Sequence, residues 1–532
     1  MSIRFFAKMS VDSTRESKLV DAVSITDAEL TKTTEITAMR VNEEYRALLK
    51  LTIDLHANIE DKLSVEHIET LREIEIQLKK FHCTFNSQDA HFDDGIVLAQ
   101  IYLKLSEIYG KDNKKERLYI AREYAMQCVK LVEGKELDRK VIITAVLAFF
   151  SLQNISIQLQ NLEEMEQFAR KLHKLYWTYT GEKEDYPAPI DVPAVIGIET
   201  KGNDETYTIH VMDQTYLYAL QSMLYYYYCC SDESSSTEDE DYNIVLITCE
   251  HKILKKMLKT SLLPVDYYGW VSFASNLSIE FSKRRRFSEA RNHLAVASLV
   301  VKKFHDEKYI KIDEKENQER RATICNEFTD ISALLAVSWA KYGNTLLRSS
   351  AERLLHEEDV TNFATQSPKL LFANLETELQ DFTDLIGDTY IVDYKDAKTV
   401  FRRVIKWLEE ARKHIVSGKH TKIYIELSRN IFKAYKYFAY YEREKDDRIK
   451  LYKQRKDTLH DILKSLNVDD NIDARKNILR LLLLASYSLL DIMTEDLEPY
   501  DTLNAKLSVE IDKLVKQIVH ISETYMYTIG KQ

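Results

Sequence analysis

Glycine and proline are scarce in this sequence. Its 532 residues include only 11 glycines and 6 prolines, together about a quarter of average usage. Folds built on many tight turns, barrels or glycine-rich phosphate loops are therefore disfavoured. Because 45% of the residues are apolar, the chain can form several packing units. Long helices are the natural way to build them.

The sequence also lacks the short motifs of common enzyme chemistry. It contains no Gly-x-x-x-x-Gly-Lys-Ser/Thr loop, no Gly-x-Gly-x-x-Gly, no His-Glu-x-x-His and no Gly-x-Ser-x-Gly. Such motifs hold phosphates, dinucleotides, zinc or an activated serine. We therefore predict that the protein is not an enzyme, has no catalytic residues and needs no cofactor or metal.

Paired cysteines and long hydrophobic runs are missing as well. The six cysteines form no Cys-x-x-Cys pair, which is typical of reduced, buried thiols. Residues 1–30 carry charges throughout and lack the apolar core of a secretory signal. The longest apolar run, Leu481–Leu490, is about half as long as a membrane-spanning helix. We predict a cytoplasmic protein that does not insert into a membrane.

Positive charge is in deficit. The formal net charge is -11, whereas a nucleic-acid partner requires a surplus of lysine and arginine on one face. The balance argues against a nucleic-acid partner and favours a basic protein partner.

A helical repeat is the clearest pattern that is present. Trp270–Phe304 contains two stretches of helical apolar periodicity separated by a short basic turn. Six of its residues fall at the spacing of a tetratricopeptide repeat, namely Leu277, Ser278, Phe281, Ala290, Leu294 and Ala297. The small side chains of Ser278 and Ala290 would let two antiparallel helices approach closely.

Helical periodicity extends over most of the chain. We predict an all-α solenoid of helical hairpins, divided into segments as follows: a loose arm at 1–34, repeats at 35–184, a proline-containing loop at 185–206, central tetratricopeptide repeats at 207–310, a long connector helix and loop at 311–391, and C-terminal repeats at 392–532. Within the central segment, residues 231–242 are so acidic that we expect a disordered loop.

Aromatic residues mark a candidate binding face. Tyr218, Gln221 and Tyr225 recur at three- and four-residue spacing, which places them on one side of a helix. Tyrosine is an effective interface residue because it combines a rigid apolar ring with a hydrogen-bonding tip. The alternative is that these tyrosines fill the core between helices.

The first helix of each tetratricopeptide pair lines the concave groove. We therefore expect Ser275 and Asn276, beside the packing residue Ser278, to project into that groove. Lysines and arginines on neighbouring helices and turns would give it mixed charge, namely Lys252, Lys255, Lys256 and Lys283–Arg286.

The segment from Tyr216 to Phe304 resembles the kinesin-binding protein family. The resemblance rests on Tyr-Leu-Tyr-Ala-Leu-Gln at 216–221, His-Lys-Ile-Leu-Lys-Lys-Met-Leu at 251–258 and Phe-Ser-Glu-Ala-Arg-Asn-His-Leu at 287–294. It implies a right-handed all-helical solenoid whose N- and C-terminal repeat sets are joined by a long helix.

The resemblance also implies a function. Proteins of this family hold a kinesin motor domain in the concave groove and block its attachment to microtubules. The positions that match the family's contact residues are Tyr218, Gln221, Met257, Asn276 and Ser278. We thus expect a monomeric, non-enzymatic regulator associated with the cytoskeleton. The alternative is a general tetratricopeptide adaptor that binds a partner's peptide or C-terminus.

Overall fold

The computed structural model describes residues 39–59, 63–85, 91–112, 114–181, 186–199, 205–230, 237–259, 266–311, 318–356, 369–414, 421–466, 472–495 and 505–530. Over these residues the backbone forms helices and their connections, and no β-strand occurs among them. The predicted all-α class is therefore confirmed. The predicted N-terminal arm, 1–34, lies outside the described residues.

We number the helices in chain order: α1 Glu43–Asn58, α2 Val65–Phe85, α3 Phe92–Gly110, α4 Lys115–Val132, α5 Ile142–Gln158, α6 Leu162–Thr180, α7 Val192–Val195, α8 Glu205–Cys230, α9 Thr237–Lys259, α10 Tyr267–Lys283, α11 Phe287–Phe304, α12 Gln318–His356, α13 Glu376–Thr383, α14 Tyr394–His414, α15 Thr421–Phe438, α16 Lys445–Ser465, α17 Ile472–Thr494 and α18 Ala505–Gly530. A π-helical turn, His305–Tyr309, follows α11, and a 3-10 turn, Ala439–Tyr441, follows α15.

Residue types at the helix ends explain where helices begin and stop. At the start of α6, Oδ1 of Asn161 accepts a hydrogen bond from the backbone N–H of Glu164 at 3.3 Å, satisfying one of the unpaired donors of the first turn. At its end, Gly181 adopts a left-handed φ of +59° and donates its N–H to the carbonyl of Trp177, as helix-terminating glycines do.

The chain divides into two compact units, Met1–Val265 and Asp266–Gln532. In the first unit, α3, α4 and α5 each contact the next helix, α6 contacts α8, and α8 contacts α9. Packing between sequence neighbours is the connectivity of an α-solenoid. The handedness predicted for the solenoid stays a prediction.

The proline-containing segment of the first unit is held by Arg139, in the turn between α4 and α5, and by Thr208 on α8. Over residues 186–199 only α7 is helical. The guanidinium of Arg139 donates from Nε to the carbonyl of Ala188 at 2.7 Å, and the hydroxyl of Thr208 donates to the carbonyl of Pro189 at 2.9 Å. These bonds satisfy backbone groups that the prolines leave outside regular structure.

The structure corrects the acidic loop expected at 231–242. Helix α9 already begins at Thr237, so residues 237–242 belong to a helix, while 231–236 lie outside the described residues. An acidic stretch and a helix start are compatible, because the positive end of the helix dipole favours negative charge in the first turn.

The second unit begins with the predicted helical hairpin, α10 and α11, which contact one another. All six repeat positions are buried. Ser278 and Ala290 are fully buried, as expected of small residues at a helix–helix contact.

Helix α12 is the longest in the described chain, with 39 residues. It contacts α10 and α11 before it and α14 and α15 after it, so it links the hairpin to the C-terminal helices. It packs tightly against α14 at Gly343, where an added Cβ would lie 2.4 Å from Cγ2 of Val404. The stacked rings of Trp339 and Trp407, 5.3 Å apart, fill the space nearby.

Within the described residues, α17 is the one helix whose length and apolar composition would allow it to cross a membrane. It contacts α15, α16 and α18, and nine of its side chains, including Leu482 and Leu489, are buried. A core helix of this kind passes the same test, so the finding is weak evidence for a membrane span.

Candidate protein-binding surface

Helices α6, α8 and α9 enclose a buried polar network centred on Asp213. This carboxylate is fully buried. Its Oδ1 accepts hydrogen bonds from the hydroxyls of Tyr176 and Tyr186, each at 2.7 Å, and its Oδ2 lies 2.8 Å from Nζ of Lys256. A buried ion pair is sustained only when further hydrogen bonds satisfy its lone pairs, and the two phenols do so here.

Lys256 is buried along with its partner. Its ammonium also lies 4.0 Å from the ring centroid of Tyr186, within the range of a cation–π contact. Burial, followed by the negative charge of Asp213, raises the pKa of Tyr176 well above its ordinary value. Both phenols therefore remain donors to the carboxylate.

A second chain of contacts runs from the same site along α6. The rings of Tyr176 and Tyr216 stack at 3.9 Å. The indole N–H of Trp177 donates to the hydroxyl of Tyr216 at 2.8 Å, which is also 2.6 Å from Nδ1 of His173. Burial, and then the charge of Arg170, lowers the pKa of His173. Tyr216 thus belongs to the core.

The three residues of the predicted aromatic face differ in exposure. Tyr218 and Tyr225 are half-buried, whereas Gln221 is buried. The amide of Gln221 donates to Oε1 of Glu250 on α9 at 2.9 Å, and the ring of Tyr218 lies 6.4 Å from that of Phe150 on α5. Part of each tyrosine, Tyr218 and Tyr225, is therefore exposed to solvent, while the hydrogen bond of Gln221 connects α8 to α9.

Three of the other four predicted site residues are buried, and the fourth is half-buried. Met257 on α9 and Ser275 and Ser278 on α10 are each 1% exposed, whereas Asn276 is half-buried. The expectation that Ser275 projects into an open groove is wrong, because a side chain of the helix-packing face cannot also face solvent. The hydroxyl of Ser275 has no hydrogen-bond partner among the described residues.

The cations expected to give the groove mixed charge differ in burial and pairing. Lys256 is buried in the ion pair with Asp213, so its charge does not face a groove. On α10 and its turn, Lys283 and Arg284 lie 2.6 and 2.9 Å from carboxylate oxygens of Glu280, and Arg286 lies 2.7 Å from Glu289. These cations are paired locally, which a reading of charge alone did not reveal.

Sequence reasoning missed the Asp213 network because its members are far apart along the chain. A single signal pointed toward it: Asp213 is the one acidic residue of α8 after Glu205. In the described part of the chain, no group of three or more histidine, cysteine or acidic side chains is arranged to hold a metal.

Net charge differs strongly between the two units. Residues 1–265 contain 31 Lys and Arg against 43 Asp and Glu, a net of -12, and residues 266–532 contain 43 against 42, a net of +1. The acidity of the whole protein thus resides in the unit that carries Tyr218 and Tyr225.

Comparison with known proteins assigns the second unit. Residues 268–532, which run from α10 to the end of the chain, match the family model described as KIF-1 binding protein C terminal. The chain belongs to the KIF-binding protein family. The family is named for binding rather than for a catalysed reaction.

Individual relatives agree with this assignment. The KIF-binding protein of Drosophila melanogaster is 28% identical over 234 residues, which cover 41% of this chain and 37% of that relative. The KIF-binding protein of Danio rerio is 20% identical over 395 residues, covering 70% of this chain and 59% of the relative, and that of Gallus gallus is 20% identical over 373 residues, covering 66% and 59%.

The matched stretches thus span between 37% and 59% of these three relatives. Among solved structures, a circular tandem repeat protein aligns with 92% of this chain and 97% of its own length at 11% identity, but a TM-score of 0.26 is too low to support any argument.

Proposed function

We propose that this protein is a non-enzymatic regulator that binds a kinesin motor domain and prevents the motor from attaching to microtubules. Membership of the KIF-binding protein family carries the proposal. The relatives' names specify kinesin binding, and blocking of microtubule attachment is the mechanism that we infer for this chain. Such a regulator would act as a monomer in the cytoplasm, in association with the cytoskeleton.

The charge of the first unit supports this partner. A motor domain must hold the acidic surface of a microtubule and is therefore basic on the side that does so. A unit with a net charge of -12 would attract that side at long range. Long-range attraction accelerates encounter more than it strengthens the final complex.

Affinity would come from the aromatic face of α8. Tyr218 and Tyr225 lie two turns apart on one face of α8, and both are half-buried. Each ring is therefore held by neighbours while part of it remains accessible. Partly held aromatic side chains lose little conformational freedom on binding and are common hot spots. Occupation of the motor's track-binding side by a folded protein would exclude the microtubule sterically.

Binding of purified motor domain to immobilised protein tests the contact residue. We expect Tyr218→Ala to weaken binding by at least about tenfold, as loss of an aromatic hot spot does. Tyr119→Ala is the matched control, since Tyr119 is an exposed tyrosine on α4 of the same unit. Equal affinities for the two variants would refute the role of Tyr218, and the absence of any motor binding by the wild-type chain would refute the proposed function.

Gln221 requires a different test. Because its amide is hydrogen-bonded to the buried Glu250, Gln221→Ala removes a bond between α8 and α9. Any loss of binding in that variant must be accompanied by a measurement of stability before it is ascribed to the interface.

A further inference from the structure

Helices α12 and α15 present a concentration of positive charge on the surface of the second unit. The two helices are in contact, and the amide of Asn344 on α12 donates to the carbonyl of Asn430 on α15 at 3.0 Å. Around this contact lie four cations, which we call the α12–α15 basic cluster: Lys341 and Arg348 on α12, and Arg429 and Lys433 on α15.

The carboxylates nearby do not balance these cations. Glu426 accepts both Lys341, at 3.0 Å, and Arg429, at 3.7 Å, while Arg348 pairs with Glu352 at 2.7 Å. Lys433 has no hydrogen bond or ion pair with any described residue. Four cations thus share two carboxylates.

The pKa of Lys433 also reflects this excess of positive charge. The pKa of Lys433 is lowered first by desolvation and then by the positive charges of Lys341, Arg429 and Arg348, with Glu426 acting in the opposite direction. A cation crowded by three others gains free energy when an additional anion binds beside it.

The side chains are accessible to such an anion. Those of Lys341, Arg429 and Arg348 are 32%, 46% and 56% exposed, and Lys433 is exposed as well. Arg429 and Lys433 are one helical turn apart, about 6 Å, and Lys341 and Arg348 are two turns apart, about 10 Å. The donors are therefore spread along a surface and do not converge on one point.

We propose that the α12–α15 basic cluster binds an acidic segment of a partner protein. Alternate residues of an extended peptide lie about 7 Å apart on one side, so successive glutamates or aspartates would match the spacing of the cations. A single phosphate would engage only part of the cluster. A nucleic acid requires a broad positive surface, which four cations beside two carboxylates do not provide. This surface is additional to the motor-binding face of α8, and its test is independent of that function.

Fluorescence anisotropy of a labelled peptide of ten glutamates, titrated with the full chain in 50 mM salt, tests the proposal. We expect Arg429→Glu with Lys433→Glu to weaken binding by at least about tenfold, and the milder Arg429→Gln with Lys433→Gln to weaken it by about threefold or more. An increase to 200 mM salt should weaken binding to the wild type severalfold, because exposed charges are screened.

The matched control is Lys302→Glu with Lys303→Glu. These lysines are exposed at the end of α11, where Phe304 stacks on Phe328 of α12, about 20 Å along that helix from Lys341. The control should bind the peptide within about twofold of the wild type. Circular dichroism verifies that each variant retains its helical content.

Three results would overturn the proposal. The first is no binding of the peptide by the wild type in 50 mM salt. The second is an equal loss in the control and in both cluster variants. The third is tighter binding of a ten-nucleotide single strand than of the peptide, which would assign the cluster to nucleic acid.

Discussion

The two units bury a cation in opposite ways. In the first unit, Lys256 meets the carboxylate of Asp213, and two tyrosine hydroxyls complete the coordination of that carboxylate. In the second unit, Arg455 is 1% exposed and has no carboxylate partner among the described residues. Its guanidinium lies 4.3 and 4.6 Å from the ring centroids of Tyr452 and Phe432 and donates a hydrogen bond to the carbonyl of Ala485 at 3.4 Å.

The difference shows two ways to offset the desolvation of a charge. An ion pair gains Coulomb energy but makes each member dependent on the other. A stacked guanidinium depends on no single partner. Its delocalised charge is weakly hydrated, which lowers the cost of desolvation, and cation–π contacts offset part of the remainder. Burial nonetheless lowers the pKa of Arg455 to about 10, and its Nε has no hydrogen-bond partner among the described residues.

The largest effect should follow from breaking the ion pair of the first unit. Asp213→Ala leaves the ammonium of Lys256 buried beside two phenols, so we expect the free energy of unfolding to fall by about 3–5 kcal/mol. Urea unfolding followed by hydrogen exchange resolves the helices of this unit. Asp54→Ala, at an exposed position of α1, is the control and should change stability by less than about 0.5 kcal/mol. A fall below about 1 kcal/mol for Asp213→Ala would mean that the pair is not essential to the unit.

The buried imidazole of His251 should make the stability of the first unit sensitive to acid. Burial, and then the charge of Lys255, lowers its pKa to about 4, below the ordinary value of about 6.5 in the unfolded chain. Its contribution is therefore complete above pH 6.5 and is lost as the pH falls toward 4. We expect His251→Gln to reduce the loss of stability between pH 7 and pH 4.5 by about 2–3 kcal/mol. Identical pH profiles for variant and wild type would contradict this.

A smaller effect should follow from removing one phenol. Tyr186→Phe deletes one of the donors to the charged Asp213 while the lysine remains, so stability should fall by about 1–2 kcal/mol. Tyr179→Phe, which removes a bond to the exposed carbonyl of Pro187, provides the comparison and should cost less. A loss as large as that of Asp213→Ala would show that the phenol, rather than the lysine, holds the charge.

The smallest effect is expected at Arg455. Arg455→Met leaves no carboxylate unpaired and removes a desolvated charge, so stability should change by no more than about 1 kcal/mol in either direction. Arg455→Lys should be the more damaging variant, because it keeps the charge but loses the planar group that stacks on Tyr452 and Phe432. If the methionine variant lost more than about 3 kcal/mol, the stability of the second unit would depend on Arg455 as strongly as that of the first unit depends on the Lys256–Asp213 pair.

Local patterns predicted most of the helices, because apolar periodicity and end residues act within a few positions of one another. The predicted repeats at 35–184 are helical wherever they are described, apart from short connections, and the small residues Ser278 and Ala290 are buried as their spacing indicates. Helix α9 begins at Thr237, inside the stretch predicted to be a disordered loop. The prediction took acidity as a sign of disorder, although the first turn of a helix also favours acidic residues.

The candidate site was predictable only in part. Spacing placed Tyr218 and Tyr225 on one face of α8, where both keep some exposure. It could not show that Gln221 is bonded to Glu250, 29 residues away, or that Lys256 meets Asp213, 43 residues away. Such pairings depend on how the helices pack, and sequence spacing contains little information about that.

Co-sedimentation of a kinesin motor domain with microtubules, at increasing concentrations of this protein, tests the proposed function most directly. The account predicts that the motor moves from the pellet to the supernatant together with the protein, and that Tyr218→Ala requires a higher concentration to produce the same shift. A motor that stays in the microtubule pellet while carrying the protein with it would contradict exclusion from the track.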